Sequence, residues 1–199
     1  MAGEPNGSSP IAPRLLLVGG APASGKTQLA RQLAARYGAA LCTKDEIKEI
    51  LFETLAAPAE YAQCGGDTLS VGWSRRLSDA SFALQFHFAA TLLRAQRCVL
   101  LEGNFRPGEH EVPLTALLSA AGAQAIQILC QASSATRAAR LAARAGDAGR
   151  HPAHHDERIN AHQPGPDFLD LPGARLNCSS DADSPQALAV LCAELDALL

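Results

Sequence analysis

Gly20-Ala21-Pro22-Ala23-Ser24-Gly25-Lys26-Thr27 fits the pattern G-x-x-x-x-G-K-[ST] and follows directly on the apolar run Leu15-Leu16-Leu17-Val18. Glycines at both ends let the backbone curl, so that successive N–H groups, up to that of Gln28, turn inward on phosphate oxygens. Lys26 can then reach β- and γ-phosphates while the Thr27 hydroxyl takes a place on Mg²⁺. Leu29, Leu33 and several alanines recur at helical spacing from Gln28 to Tyr37, so the loop opens a helix whose N-terminal end favours an anion. Strand, loop and helix together read as a nucleotide-phosphate site. A Gly-rich turn that binds nothing is the alternative.

Asp45 lies just past the end of a second short strand, Ala39–Cys42, within Thr43-Lys44-Asp45-Glu46. In a parallel sheet that position is near the phosphate loop. A carboxylate there can orient an attacking hydroxyl and take its proton, an effect of about 10²–10⁴ in rate. Thr43 or Asp45 would serve equally well as a helix cap. Only three of the 17 basic residues are lysines, Lys26, Lys44 and Lys48, and all fall at these two motifs. Glu102 ends the apolar strand Cys98–Leu101, as a Walker-B-type carboxylate does, and could hold Mg²⁺ with Thr27; a solvated strand end is the other reading. Asn104 and Arg106, in the following turn, are candidates for contact with an acceptor substrate.

Arg137, Arg140 and Arg144 share one helical face. A solvated basic face is the plain reading. The loop Ala145–Gly149 and Arg150 beyond it suggest instead a lid whose arginines meet the charge of a transferring phosphoryl group. His151, His154, His155 and Asp156 contain enough ligands for a metal, but Pro152 interrupts any helical spacing, and a lid or substrate-contact role is preferred to zinc. Asp170-Leu-Pro-Gly173 matches D-x-x-G by chance, since no N-K-x-D follows.

These residues need a scaffold of alternating strands and helices. Strands are expected at Arg14–Val18, Ala39–Cys42, Cys98–Leu101, Gln124–Cys130 and Arg175–Cys178. Helices fall between them, a long one spans Leu69–Gln96, and the last runs Pro185–Leu199. That alternation predicts an α/β fold with a parallel sheet covered on both faces and ligands at the carboxyl ends of the strands. At 199 residues and 47% hydrophobic, one domain over 14–199 is the default, behind a disordered tail at 1–13, with the lid at about 131–160. A net charge of −3 argues against tight sequence-independent binding to duplex nucleic acid. No run is long enough to span a membrane and the N-terminus lacks signal-peptide character, so a cytoplasmic location is expected. The six scattered cysteines, with no C-x-x-C pair, read as reduced structural thiols.

Taken together, Gly-Gly-Ala-Pro-Ala-Ser-Gly-Lys-Thr, Thr-Lys-Asp-Glu-Ile-Lys, Leu-Leu-Glu-Gly-Asn-Phe and Arg-His-Pro-Ala-His resemble the small AAA-type kinases of the P-loop superfamily. That group is similar to polynucleotide kinases, chloramphenicol phosphotransferase and zeta toxins. The resemblance covers about residues 14–180. It implies a P-loop kinase-like three-layer sandwich with sheet order 2-3-1-4-5, ATP with Mg²⁺, Asp45 as the catalytic carboxylate and the Arg140–Arg150 region as the lid. The polynucleotide kinases commonly carry an arginine three residues after that carboxylate, where it grips a substrate phosphate. Here Lys48 stands there, and without the bidentate grip a small-molecule hydroxyl acceptor is expected rather than a nucleic acid. A nucleotide-binding regulator or slow ATPase without an acceptor, or a 5′-end nucleic-acid kinase, is the alternative.

Overall fold

The computed structural model describes residues 12–57, 71–95, 98–145, 151–154, 159–181 and 185–199. Tail residues 1–11, Cys64, Arg150, His155, Asp156 and most of the loops expected at Pro58–Asp67 and Ala145–Gly149 lie outside the described residues.

Leu15 and Leu17 enter one apolar cluster while Leu16 and Val18 enter another on the opposite face of the same strand. A strand apolar on both sides must be central in a parallel sheet. β1 (Arg14–Gly20) accordingly pairs in parallel with β3 (Cys98–Glu102) on one side and β4 (Gln124–Gln131) on the other. β2 (Ala40–Thr43) adds beyond β3 and β5 (Gly173–Ser179) beyond β4, giving five parallel strands in the order 2-3-1-4-5.

On one face, α3 (Val71–Ala95) and α4 (Glu111–Ala121) bury Phe82, Phe86, Ala89, Leu93, Leu114 and Leu118 against Leu15 and Leu17. On the other, α1 (Lys26–Tyr37) and α6 (Pro185–Asp196) bury Leu29, Leu33, Leu191 and Leu195 against Leu16 and Val18. Each leucine fully buried in this way stabilises the fold by about 1.5–3 kcal/mol. Two more helices, α2 (Lys44–Thr54) and α5 (Ser134–Ala145), follow β2 and β4 and flank the carboxyl ends of the strands.

One expectation is corrected. Asp45 is not a helix cap: Thr43 occupies the N-cap position, without a side-chain capping bond, and Asp45 lies inside the first turn of α2. Of the segment expected as a tail at 1–13, Pro13 lies within the described residues, and its carbonyl accepts the Gln124 N–H at 2.9 Å. Strand ends also extend past the apolar runs, since the sheet ladder continues into Gly19, Gly20 and Thr43. The D-x-x-G match has its own cause. Gly173 sits at φ 125°, where a Cβ would fall 2.1 Å from the Ala125 carbonyl oxygen, so β5 can start beside β4 only with glycine there. Cys42, Cys98, Cys130, Cys178 and Cys192 are free thiols, as expected.

Gly20 ends β1 under the same constraint. Its φ is 147°, and a Cβ would stand 2.3 Å from the Cys130 carbonyl oxygen. Gly19 is different, with ordinary contact at 3.6 Å from Phe105. Gly20→Ala should therefore cost about 2 kcal/mol or more, and Gly19→Ala less than about 1 kcal/mol. Urea unfolding midpoints check this, and equal midpoints would contradict the assigned strand-to-loop geometry.

Candidate active site

The register of the sheet fixes the site. Glu102 lies opposite Val18 on one side and Thr43 on the other. The phosphate loop, which starts two residues past Val18, and Asp45, two past Thr43, therefore flank Glu102. Gln85 of α3 locks this edge by donating from Nε2 to the carbonyls of Cys42 and Glu102, both at 2.8 Å.

The loop is held from outside. The Pro22 carbonyl accepts Arg137 Nε at 3.1 Å and the Ala23 carbonyl accepts Arg140 Nη1 at 3.2 Å. The Ser24 carbonyl accepts the Cys130 thiol at 3.0 Å and the Ser180 hydroxyl as well. In a trans peptide the N–H is antiparallel to the carbonyl. Turning the carbonyls of Pro22 and Ser24 outward therefore turns the N–H groups of Ala23 and Gly25 into the concavity. The Ser24 N–H is spent on the Ala21 carbonyl at 3.1 Å. Ala23 accepts a left-handed φ of 61° to make this turn. Beyond Gly25, the N–H groups of the first turn of α1 are available to an anion in the same direction.

Inside the concavity Lys26 Nζ stands 3.9 Å from Glu102 Oε1. Glu102 is 1% exposed, and the Thr27 hydroxyl lies close enough to favour its charged form. Yet neither carboxylate oxygen completes a hydrogen bond of normal geometry among the described residues. Burial raises the Glu102 pKa, against the pull of Lys26. A buried carboxylate lacking partners, beside a hydroxyl, is a donor set that fits a hard divalent cation such as Mg²⁺.

Asp45 faces the same cleft. Burial alone would raise its pKa, but Lys44, His154 and Lys26 outweigh it and hold the carboxyl at about 2. Oδ1 takes the Lys44 ammonium at 3.1 Å. Lys48 is buried and donates to Ser74 Oγ at 2.9 Å; burial and the neighbouring Lys44 push its pKa down to about 8. His154 meets Glu49 at 2.6 Å and His151 meets Glu53 at 3.3 Å, so residues 151–154 dock on α2. Among the described residues no group of three metal-ligating side chains forms.

These residues line a cleft of about 900 Å³ that holds Lys26, Thr27, Lys48, Asn104, Arg140 and Arg144 along with both carboxylates. A neighbouring recess of about 250 Å³ is lined by Gln28, Gln32, Arg140, Ser179, Ser180 and Leu188 and has the mixed polar and apolar character a nucleoside base needs. Lys26, Thr27, Asp45, Lys48, Glu102, Asn104, Arg140 and Arg144 thus come together, whereas Arg137 and Arg106 do not line this cleft. Arg106 pairs with Glu109 at 3.2 Å and lines a smaller recess next to Asn104. Arg150 lies outside the described residues. Arg137 is 5% exposed, so the arginine face is not a solvated one. Sequence reasoning missed Lys44 as a site residue, although lysine placement signalled it. It also missed Ser180, Ser74 and Gln85, for which no local signal exists.

A family model described as an AAA domain matches residues 15–164. The chain belongs to that family. Among solved structures, a candidate kinase from Chloroflexus aurantiacus is 27% identical with a TM-score of 0.80, covering 94% of this chain and 99% of that one. The APS kinase CysC of Mycobacterium tuberculosis, in complex with AMPPNP and APS, is 16% identical with a TM-score of 0.50, covering 92% and 97%. A sugar kinase from Janibacter sp. is 10% identical with a TM-score of 0.54, covering 93% and 95%. These last two are likenesses of fold. No curated protein sequence matches the chain. This AAA-domain protein is P-loop kinase-like, of the phosphotransferase type in general. No helix among its described residues is long and apolar enough to cross a membrane.

In the AAA-domain chain Glu102 gives a test with a defined sign. Its folded pKa is raised, so the stability it contributes is complete below the unfolded value, about 4.3, and is lost as pH rises through the folded value. Glu102→Gln should remove that loss. Without metal, the variant should match or exceed wild-type Tm at pH 7 by a few degrees, yet lose most of the extra stabilisation Mg²⁺ gives with nucleotide. Thermal melts from pH 4 to 8, with and without Mg²⁺ and nucleotide, check both halves. A wild-type dependence on Mg²⁺ kept in full by the variant would remove Glu102 from the metal site.

Proposed function

We propose that the protein transfers the γ-phosphoryl group of Mg-ATP to a hydroxyl of a small-molecule acceptor. The observation that carries this reading is Asp45, an ionised carboxylate in the same cleft as an inward-turned phosphate loop. A protein that only binds nucleotide has no use for it there.

Residues 20–28 would cradle the phosphates, with Lys26 on the β- and γ-phosphates and the recess beside Ser179 and Leu188 taking the base. Thr27 and Glu102 would hold Mg²⁺, which when bound supplies charge neutralisation on the phosphates. In the transfer, the acceptor oxygen forms a bond to Pγ, the bond from Pγ to the β,γ-bridging oxygen breaks, and ADP leaves with that electron pair. The acceptor proton passes to Asp45. A carboxylate held at about 2 is a weak base. It acts first as a fixed hydrogen-bond acceptor that aims the hydroxyl, and receives the proton late, once the new O–P bond has made it acidic. A loose transition state needs no earlier deprotonation. Lys44 keeps Asp45 ionised. Arg144 would meet the charge on the transferring group, Arg150 is proposed to join it, and Arg140, bonded to Ala23 and Ser180, would add its charge from the rim of the cleft while holding the loop. Residues 131–160 are proposed as the lid of a single domain spanning 14–199, its far end docked on α2 through His151 and His154.

Mg-ATP at 100 times Kd should stabilise the native protein by about 2.7 kcal/mol, and Lys26→Ala should abolish most of that. Asp45→Asn should keep the Mg-ATP shift but lose about 10²-fold or more in acceptor phosphorylation. Melting curves and ADP release with acceptor measure the two separately. No Mg-ATP shift in wild type would sink the nucleotide reading, whereas an Asn variant with full transfer would sink the role of Asp45 alone.

A further inference from the structure

A recess of about 310 Å³ opens off the cleft between the first turns of α3 and the turn after β3, and Ser74 and Asn104 line both spaces. Its size is at the small end of ligand pockets. Nothing in the phosphoryl-transfer reading uses it, although it begins where an acceptor must lie, on the Asp45 and Lys48 side of the cleft.

Its charges decide what can enter. Arg106 is neutralised by Glu109 at 3.2 Å. Arg75 and Asp79, one helical turn apart on α3, make no hydrogen bond or ion pair among the described residues and both face this space. An anionic group would gain Arg75 but would meet Asp79, while the Arg106–Glu109 pair adds no net charge. The recess therefore offers an anion no net attraction, and contact with Asp79 works against it. A hydroxyl has no such conflict, since it can donate to Asp79 and accept from Arg75.

The remaining polar edges are also fixed for a hydroxylated guest. His110 Nδ1 accepts the Arg106 backbone N–H at 2.9 Å, which places the ring proton on Nε2 as a donor. Burial lowers the His110 pKa, so the ring is neutral. Ser74 Oγ accepts from the Lys48 ammonium, and its own hydrogen must point elsewhere, toward the rim. The Asn104 amide offers one donor and one acceptor. Phe82, 4.2 Å from the His110 ring centroid, supplies an apolar wall. Vicinal hydroxyls bridging a carboxylate and a guanidinium, with carbon–hydrogen faces against an aromatic wall, satisfy all of these groups at once.

We propose that this recess seats the body of the acceptor, and that the acceptor is an uncharged, polyhydroxylated ring presenting one hydroxyl to Asp45 across the Ser74–Asn104 rim. The inference rests on the phosphoryl-transfer reading and adds the substrate class and the specificity residues Arg75 and Asp79.

The test measures ADP release from Mg-ATP by the full chain with two panels. One holds pentoses, hexoses, inositols and nucleosides; the other holds their monophosphates and a 5′-hydroxyl oligonucleotide. At least one uncharged compound should raise ADP release about tenfold, and no member of the anionic panel should. For that compound Asp79→Ala and Arg75→Ala should each raise KM about tenfold, with kcat within about twofold and the Mg-ATP melting shift unchanged. A merely structural role would lower the apo Tm and leave KM alone. Stimulation by the anionic panel overturns the proposal. So does silence of every uncharged compound while the Mg-ATP shift is intact, or an unchanged KM in both variants. Absence of the Mg-ATP shift would instead remove the phosphoryl-transfer reading, and this inference with it.

Discussion

The outward hydrogen bonds on the carbonyls of Pro22, Ala23 and Ser24 are the constraint on which the site depends. A peptide loop carries as many acceptors as donors, and an anion is bound only when the acceptors are drawn elsewhere. Arg137 and Arg140 from α5, the Ser180 hydroxyl beyond β5 and the Cys130 thiol at the end of β4 do this from three different elements. The loop therefore takes its shape from the assembled sheet and α5 together. Glycine at position 20 permits the curl, but the donors set its direction.

The second constraint is electrostatic. Lys26, Lys44, Lys48, Asp45 and Glu102 crowd one end of the sheet, and all but Asp45 have side chains that are mostly buried. Their protonation equilibria carry the mark of this crowding. Lys48 is driven toward neutrality by burial and Lys44, while Glu102 is driven the same way by burial, even with Lys26 beside it. Each is a group short of counter-charge in the direction that a nucleotide and its cation would supply. Asp45 is the opposite case, held ionised by its cationic neighbours. One cluster thus contains both groups whose charge burial disfavours and one group held ionised, the division between binding and positioning that the proposed transfer would use.

Much of the fold was legible because its signals are local. Four apolar residues before a Gly-rich loop can only be a central strand, and the strand–helix alternation leads to a doubly covered parallel sheet. The phosphate loop, Asp45 and Glu102 were legible because each sits at a strand's carboxyl end, where the topology itself brings them together. The clamp was not. Arg137 and Pro22 are 115 residues apart, and Ser180 and Ser24 are 156 apart. An arginine stripe turned inward onto carbonyls has the same spacing as one turned to water. Asp45 looked equally suited to capping because the cap position depends on where β2 ends, one residue later than the apolar run suggested. Arg106 looked like a cleft residue by its distance from Glu102 along the chain, but the turn after β3 carries it to Glu109.

The clamp would also limit how the proposed lid could move. Arg137 is tied to Pro22 and to the Gln163 carbonyl at 2.9 Å, and Leu141 packs with Ala23 and Ala161. Swinging the root of α5 would break these bonds and release the carbonyls that keep the loop's N–H groups turned inward. A closure of the proposed lid that preserved the phosphate site would have to bend beyond Leu141, where Arg144 lines the cleft, while Arg137 and Leu141 stayed with the loop. Two arginines on one helical face are thereby divided by position: the inner one belongs to the rigid frame, and the outer one stands where a charge could be met by motion.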